Sequence, residues 1–198
     1  MEEDRIKWNR RFASEDSFLG ERPSPFLRQE IERIKRLAPG MTALDIACGE
    51  GRNSVFLAQH GFLVTALDIS DVGIAKGRRR AEEAGVRVDF RQVDLDGYHI
   101  AESFDLIINF NFLLRALIPE EVAALVPGGL LLFDTILESP QLLATHKPDY
   151  LLRHGELVRI FAAYDGEILF AEEDEVEEQD QGQGNMPTTR LFFRKAGS

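Results

Sequence analysis

Short apolar runs alternate with helical stretches along most of the chain. The runs TALDIA, FLVTALDI, VRVDFRQVD, FDLIINF and LLLFDT predict five strands. PFLRQEIERIKRLAPG precedes the first of them, and NSVFLAQHG, VGIAKGRRRAEEAG and PEEVAALVPGG lie between them, with apolar residues at helical spacing. Strands that alternate with helices form βαβ units, in which helices cover both faces of a parallel sheet. The pattern therefore predicts a doubly wound α/β fold.

The pattern changes after residue 135. ESPQLLATHKPDYLLRHG has little regularity, and GELVRIFAAY predicts a helix. EILFAEEDEVEE and TTRLFFRKA predict two strands joined by the polar loop QDQGQGNMP. Because only a loop separates these strands, we expect them to pair antiparallel and to end the sheet as a hairpin. No repeat interrupts the pattern, which predicts one domain over residues 1–198.

Composition narrows the class of protein. The chain of 198 residues is 44% hydrophobic and 29% charged, as in ordinary soluble domains. No apolar run approaches the roughly 18 residues of a membrane span, and the charged start MEEDRIKWNRRF does not resemble a secretory signal. The single cysteine, Cys48, excludes an internal disulfide. We therefore expect a cytoplasmic protein without a membrane partner.

Charge and metal-ligand spacing exclude two further classes. The net charge is −11, so the chain as a whole repels the phosphates of nucleic acids. One cysteine cannot form a cysteine-based metal cluster, and the four histidines do not form a pair at H-x-x-x-H spacing. We expect neither a nucleic-acid partner nor a bound metal.

The stretch DIACGEGRN, residues 45–53, places Gly49 and Gly51 between a buried strand and a helix. Glycines at such a position allow a sharp turn and the close approach of a ligand to the backbone. The helix start beyond them offers free N–H groups. A turn with glycines for steric reasons alone is the alternative interpretation.

Acids at the ends of neighbouring strands favour a ligand. Asp68 ends the second strand 17 residues after Gly51 (68 − 51), close to the roughly 20-residue offset at which an acid meets a ribose in dinucleotide sites. Asp94 ends the predicted third strand, where it can accept a hydrogen bond from an adenine amine. Loop and acids together predict a nucleoside-containing cofactor.

The type of cofactor follows from the residues around the glycines. A dinucleotide fingerprint has a third glycine where Ser54 stands, which disfavours NAD or FAD. Asp45 and Glu50 flank the glycines and suit a cationic ligand better than a pyrophosphate. A nucleoside that carries an amino acid fits both observations.

LDIACGEGRN, VTALDIS, QVDL, FDLIINFNFL and LVPGGLLLFD resemble, in order and spacing, the motifs of class I S-adenosylmethionine (SAM)-dependent methyltransferases. This resemblance covers roughly residues 40–135. KWNRRF, PSPFL and HKPDYLLRHGEL are similar to a subgroup of small bacterial enzymes that includes the tellurite-resistance and thiopurine methyltransferase-like proteins. The family implies SAM as the cofactor and a seven-stranded Rossmann-like sheet in the order 3-2-1-4-5-7-6, with strand 7 antiparallel and helices on both faces.

The resemblance also implies a division of the domain: an N-terminal flap (1–24), a SAM-binding core (25–135), and a substrate-side segment with the C-terminal hairpin (136–198). It implies that the backbone of residues 47–51 cradles the methionine part of SAM, that Asp68 binds the ribose, and that Asp94 binds the adenine amine. The implied cofactor-binding residues are Trp8, Asp45, Ala47, Cys48, Gly49, Gly51, Asp68, Ile69, Asp94, Leu95 and Asn109. Substrate-side candidates are Asn109, Phe110 and Arg52.

One of these residues, Ala47, departs from the pattern of the family, and two others, Trp8 and Arg52, have competing interpretations. The family usually has glycine where Ala47 stands; alanine is the smallest substitute, and the motif is compatible with it if Ala47 keeps a negative φ. Trp8 belongs either to a flap over the cofactor or to an amphipathic helix packed on the sheet. Arg52 either contacts an anionic substrate or is solvated, and the adjacent Asn53 is a candidate cap for its helix.

The sequence thus predicts a methyltransferase acting on a small-molecule acceptor, as a monomer or homodimer. No Cys/His or paired-carboxylate base motif is visible, and a thiolate or chalcogen oxyanion acceptor does not need a base. One alternative is a SAM- or nucleoside-binding protein without catalysis. A dinucleotide-dependent oxidoreductase is the other alternative.

Overall fold

A computed structural model describes residues 2–14, 16–174 and 186–197. Seven strands form a single sheet in these residues. They are β1 (Thr42–Ile46), β2 (Leu63–Asp68), β3 (Val88–Gln92), β4 (Phe104–Phe110), β5 (Leu125–Ile136), β6 (Gly166–Asp174) and β7 (Thr188–Lys195). The predicted loop between the last two strands lies mostly outside the described residues.

The described α-helices are α1 (Glu2–Phe12), α2 (Pro25–Leu37), α3 (Arg52–Gln59), α4 (Asp71–Glu83), α5 (Ile118–Ala124), α6 (Pro140–Leu143) and α7 (Glu156–Phe161). Short 3-10 turns lie at Arg115–Leu117 and Pro148–Tyr150. The short helix α6 and the second 3-10 turn occupy the stretch whose sequence shows little regularity. Proline at the first turn of α6 fits its start, because that position needs no N–H donor.

The strand order is β3-β2-β1-β4-β5-β7-β6. β1 pairs parallel with β2 and β4, β2 pairs parallel with β3, and β4 pairs parallel with β5. β7 runs antiparallel to both β5 and β6. The predicted fold class is therefore confirmed, including the antiparallel seventh strand. Two boundaries differ. β3 ends at Gln92, so Asp94 lies two residues beyond the strand. β5 begins at Leu125, inside the stretch PEEVAALVPGG that was predicted as a helix.

Apolar side chains bury both faces of the sheet. Leu44, Ile107 and Leu131 point to one face, where they pack with residues of α5 and α7. Ala43, Leu106 and Leu132 point to the other face, where they pack with residues of α2 and α3. Burial on both faces explains why the central strands read as continuous apolar runs. It also fixes the register, so that the carboxyl ends of β1 to β5 meet at one edge of the sheet.

Candidate functional site

The loop between β1 and α3 lies at the carboxyl edge of the sheet and has a left-handed backbone at three positions. Ala47 has φ 53°, Gly49 has φ 55° and Gly51 has φ 73°. Ala47 therefore does not meet the condition of a negative φ that the sequence analysis set for it. The loop keeps its shape although alanine stands at a position that favours glycine, and the left-handed conformation costs a non-glycine residue about 1–2 kcal/mol.

Ala47→Gly should consequently raise the free energy of unfolding by up to about 1 kcal/mol. The substitution removes backbone strain from the folded state, and this gain exceeds the free-energy cost of the greater conformational entropy of glycine in the unfolded state. Urea denaturation monitored by circular dichroism measures this change. Ala58→Gly is the matched control: Ala58 lies inside α3, where glycine should destabilise by roughly 0.5–1 kcal/mol. A loss of stability in Ala47→Gly would mean that the packing of the Ala47 methyl group outweighs the strain.

Asp68, the last residue of β2, braces this loop. One carboxylate oxygen accepts the Gly49 N–H at 2.8 Å, and the other accepts the Ser70 N–H at 2.8 Å. The side chain is 6% exposed, and burial raises the pKa of its carboxyl. Asp68 thus joins the glycine loop to the start of α4, where the Ser70 hydroxyl caps the helix by accepting the Gly73 N–H.

Asp45 lies beneath the same loop. Its carboxylate accepts a hydrogen bond from the Ser54 hydroxyl at 2.5 Å, and both side chains are buried. Burial is the main cause that raises the pKa of Asp45 to about 7. Ser54 stands where a dinucleotide fingerprint has its third glycine, and this bond gives the serine a structural role there.

Two glycines of α4 also shape the site, and the sequence analysis did not identify them. A Cβ on Gly73 would lie 2.9 Å from the Gly49 carbonyl oxygen, and a Cβ on Gly77 would lie 2.6 Å from the Phe90 ring. The absent side chains let α4 approach the loop and Phe90 closely. Two glycines four residues apart in VGIAKG, inside a predicted helix, were the available signal.

Helix α1 covers the glycine loop rather than the sheet. Its Asn9 accepts a hydrogen bond from the Ser70 hydroxyl at 2.6 Å and donates one to Asp71 at 2.7 Å. Phe12 is buried, and its ring would lie 3.2 Å from a Cβ on Gly49. Trp8 stacks on Phe12 at 5.6 Å between ring centroids. The Phe12 ring therefore lies between Trp8 and the glycine loop.

The chain between α1 and α2 is tied to the core by polar contacts. Glu50 accepts the Phe18 N–H at 2.9 Å and pairs with Lys76 at 2.8 Å. Arg52 donates to the carbonyl oxygens of Leu19 and Arg22 at 2.5 and 3.1 Å. Arg52 therefore has partners within the protein, a third arrangement beside the two expected from the sequence.

Asn53 does not cap α3. Its side-chain oxygen accepts the Ser24 N–H at 2.8 Å, and the N-cap position belongs to Gly51, which supplies no side-chain cap.

The two residues predicted for the substrate side at the end of β4 lie in the protein interior. Asn109 is 1% exposed and donates to Glu121 at 2.7 Å. Phe110 is 5% exposed and packs on Phe26. The exposed residue here is Asn111, which has φ 57°, and a left-handed non-glycine residue at a strand end is a common feature of functional sites.

Asp134 of β5 lies beside this strand end. Its carbonyl oxygen accepts the Asn111 N–H at 2.7 Å, and burial, opposed by Arg190 and Arg52, raises the pKa of its carboxyl to about 6. Neither Asn111 nor Asp134 was identified from the sequence, since a lone Asn and a lone Asp at strand ends carry no spacing signal.

The remaining candidates surround the ends of β2 and β3. Ile69 is half-buried, Leu95 is buried and Asp94 is exposed, with its carboxylate accepting the Asp96 N–H at 3.1 Å. Cys48 is half-buried, and burial raises the pKa of its thiol well above the usual value. A thiol that stays protonated is a poor nucleophile, which agrees with a packing role for Cys48.

A broad surface groove of about 570 Å³ lies at the opposite edge of the sheet. It is lined by the amino ends of the strands, including Thr42, Leu63 and Val88. Ligands of open α/β sheets bind outside the carboxyl ends of the strands. The glycine loop, Asp68 and Asn111 are all at that carboxyl edge, so we place the candidate site there and not in the groove.

Two further features concern membranes and metals. Among the helices in the described ranges, none is long and apolar enough to cross a membrane. Within residues 2–14, 16–174 and 186–197, His, Cys, Asp and Glu side chains form no group of three or more that could hold a metal ion.

Comparison with known proteins finds similarity to methyltransferases. Residues 43–129 match the family model of a methyltransferase domain. The ubiquinone biosynthesis O-methyltransferase of Paramagnetospirillum magneticum is 33% identical over 110 residues, which are 53% of this chain and 44% of that protein. The chain spans about half the length of the curated relatives it matches.

Solved structures share the fold over nearly the whole chain. The N-methyltransferase NodS of Bradyrhizobium japonicum, in complex with S-adenosylhomocysteine (SAH), superposes with a TM-score of 0.71 at 21% identity, over 96% of this chain and 97% of NodS. TehB of Haemophilus influenzae gives a TM-score of 0.69 at 23% identity, over 85% of this chain and 62% of TehB. The protein thus has the class I methyltransferase fold, and residues 43–129 match a methyltransferase domain, as the motifs predicted.

Proposed function

We propose that the protein is a SAM-dependent methyltransferase acting on a small-molecule acceptor. The observation that carries this proposal is the loop at residues 47–51, left-handed at three positions and braced by Asp68 at the end of the neighbouring strand. It lies at the carboxyl edge of the sheet, where α/β folds bind ligands. The matched methyltransferase domain covers this loop, Asp68 and the residues after β3 and β4.

The residues present fit such a cofactor. The Asp68 carboxylate accepts the Gly49 and Ser70 N–H groups, and a carboxylate has about four acceptor positions, so it can also accept a ribose hydroxyl. Gly49 has no Cβ, so a ligand can approach its backbone. When bound, SAM supplies a methyl group already activated on a sulfonium, which leaves the protein to orient the acceptor and exclude water.

We assign the other predicted residues by their positions. The backbone of Ala47, Cys48, Gly49 and Gly51 would hold the methionine part, with Asp45 fixing the loop from below. Ile69, Asp94 and Leu95 would surround the adenine. Trp8 would close the site through Phe12, and Asn109 would support the end of β4. Phe110 and Arg52 do not contact the ligand in this proposal. The Phe110 ring packs on Phe26, and the Arg52 guanidinium donates to the Leu19 carbonyl oxygen between α1 and α2.

The same contacts support the proposed division of the chain. Residues 1–24 form a flap, held over the glycine loop by Asn9, Phe12 and Glu50. Residues 25–135 form the cofactor-binding core, and residues 136–198 form the acceptor-side segment and the hairpin. A flap of this kind both excludes water and lets the cofactor enter and leave.

The acceptor is the least constrained part of the proposal. The sequence favours a soft nucleophile, such as a thiol or a chalcogen oxyanion, because it shows no base motif. Among the compared proteins, NodS is named an N-methyltransferase and the ubiquinone-biosynthesis relative an O-methyltransferase. A cytoplasmic location and a monomeric or homodimeric state complete the proposal.

Titration calorimetry of the full chain with SAH, SAM and NAD tests the proposed cofactor. We expect SAH and SAM to bind and NAD not to bind, because Ser54 replaces the third glycine and acids flank the loop. NAD binding without SAH binding would favour the oxidoreductase alternative. Methyl transfer from labelled SAM to a panel of thiols, tellurite, phenols and amines then separates an enzyme from a non-catalytic SAM-binding protein.

A further inference from the structure

Two buried oxygen atoms beneath the end of β4 lack hydrogen-bond partners among the described residues. The Asn109 amide donates to Glu121 Oε1 at 2.7 Å, and these side chains are 1% and 0% exposed. The amide oxygen of Asn109, Oδ1, and the second carboxyl oxygen of Glu121, Oε2, have no partner among the described residues. Leaving buried polar atoms unpaired is costly, so each such atom requires an explanation.

One proton accounts for both atoms. An ionised Glu121 has only acceptors, and Asn109 Oδ1 is also an acceptor, so the two cannot pair. A carboxylic acid instead carries a hydroxyl on Oε2, which can donate to Asn109 Oδ1. Acid and amide then join through two hydrogen bonds, with the amide N–H donating to Oε1 and the acid O–H donating to Oδ1.

We propose that Glu121 is a protonated carboxylic acid that forms a two-bond pair with Asn109 and thereby positions the end of β4 at the cofactor edge. This inference rests on the proposed function, because the edge in question is the proposed SAM site. Glu121 is a positioning residue: it touches Asn109 and acts on the site only through β4.

The position of Asn109 explains how this pair reaches the site. Asn109 lies opposite Ile46 in the parallel register, directly before the loop that starts at Ala47. Two residues later, Asn111 turns into its left-handed conformation and donates its N–H to the Asp134 carbonyl oxygen. When Asn109 is held in place, the end of β1 before the glycine loop and the turn that follows β4 at Asn111 are held in place as well.

The surroundings favour the neutral form of Glu121. Burial raises the pKa of its carboxyl to about 7, and the Asn109 hydrogen bond opposes this rise only in part. The pKa of Tyr164, which lies beyond α7, is raised mainly by burial and to a smaller extent by the charge of Glu121. Lys195 of β7 binds backbone carbonyl oxygens at the end of α5, and the adjacent Glu120 pairs with His99 at the surface.

The direction of the pH dependence follows from a raised pKa. Glu121 is protonated in both folded and unfolded protein below its ordinary pKa of 4.5, and its stabilising contribution is lost as pH rises through about 7. Ionisation would leave Asn109 Oδ1 facing a carboxylate. If SAH needs the paired form, its affinity should fall about tenfold between pH 6 and pH 8, because one protonation with a pKa of about 7 is involved.

Glu121→Gln is the decisive variant. Its amide keeps both hydrogen bonds, accepting from the Asn109 N–H and donating to Oδ1, but it cannot ionise. We expect SAH affinity in this variant to equal that of the wild type at pH 6 and to lack the fall towards pH 8 that Glu121 causes. Only the pH dependence due to the other buried carboxyls at this edge, Asp45 and Asp134, should remain. Glu120→Gln, the exposed neighbour, should keep the wild-type pH profile. Glu121→Ala should weaken SAH binding at every pH, because it leaves the Asn109 amide unpaired.

Infrared difference spectroscopy of wild type against Glu121→Gln gives a readout that does not depend on any ligand. A protonated-carboxyl band should be present at pH 6 and lost by pH 8. Absence of this band at pH 6, or a pH profile of SAH affinity that is the same in wild type and Glu121→Gln, would overturn the inference. Failure of the wild type to bind SAH at any pH would instead contradict the proposed function, while the infrared band would still decide the protonation of Glu121.

Discussion

Replacing Gly51 by Ala should lower the free energy of unfolding by about 3 kcal/mol and weaken SAH binding more than tenfold. Two costs combine in this change. The φ of 73° at Gly51 costs an alanine about 1–2 kcal/mol. The new Cβ would also lie 2.8 Å from Phe90 Cζ and 3.1 Å from Gly77 Cα, and overpacking of this kind costs about 1–3 kcal/mol. Because Phe90 is buried, the strain should be transmitted to the loop.

Gly97→Ala separates these two costs. Gly97 has φ 72°, almost the same as Gly51, but a Cβ there would meet nothing within 4 Å. This control should therefore lose only about 1–2 kcal/mol from backbone strain and should bind SAH normally. Urea denaturation and titration calorimetry measure both properties. Equal losses in the two variants would show that the contact with Phe90 is unimportant, and Phe90→Leu should partly rescue Gly51→Ala if the contact matters.

Much of this architecture was predictable because it depends on short-range patterns. The apolar runs of β1, β4 and β5 and the helical spacing of α2 and α4 are set by burial, which repeats along the chain. Gly49 and Gly51 between a strand and a helix indicate a ligand loop for a local steric reason. Since the ends of parallel strands share one edge, the closeness of Asp68 to this loop also followed from the predicted topology.

The remaining features depend on contacts between distant parts of the chain. Ala47 adopts a positive φ because the strand before it and the helix after it are fixed by their own packing. Arg52 binds the Leu19 and Arg22 carbonyl oxygens about thirty residues earlier. Nothing in the spacing of Asn109 and Glu121 shows that α5 folds back to place the acid under β4. Side-chain partners of this kind require the tertiary structure.

Asp68→Ala should weaken SAH binding at least tenfold and destabilise the protein as well. The carboxylate accepts the Gly49 and Ser70 N–H groups, so its removal leaves two backbone donors without acceptors, at roughly 1–3 kcal/mol for each buried group. The proposed ribose contacts are charge-assisted, and such hydrogen bonds contribute about 1.5–3 kcal/mol each. The loop and the ligand should therefore be affected together.

Asp68→Asn distinguishes bracing of the loop from contact with the ligand. Asparagine retains the volume and one acceptor oxygen, so it can keep one of the two backbone hydrogen bonds. In place of the second acceptor it presents an amide NH2 group, which only donates. We expect its stability to lie between those of the wild type and Asp68→Ala. Its SAH affinity should remain well below that of the wild type, because the negative charge is absent in both variants.

Asp89→Ala is the control for the loss of one negative charge. Asp89 pairs with Arg91 at 2.6 Å on the exposed side of β3, and exposed pairs contribute about 0.2–1 kcal/mol. This variant should bind SAH as the wild type does. Calorimetry on the three variants, each checked by circular dichroism for its fold, measures the difference. If folded Asp68→Ala bound SAH as tightly as Asp89→Ala, Asp68 would be a loop brace alone, and the ribose would have to be held by another group at this edge.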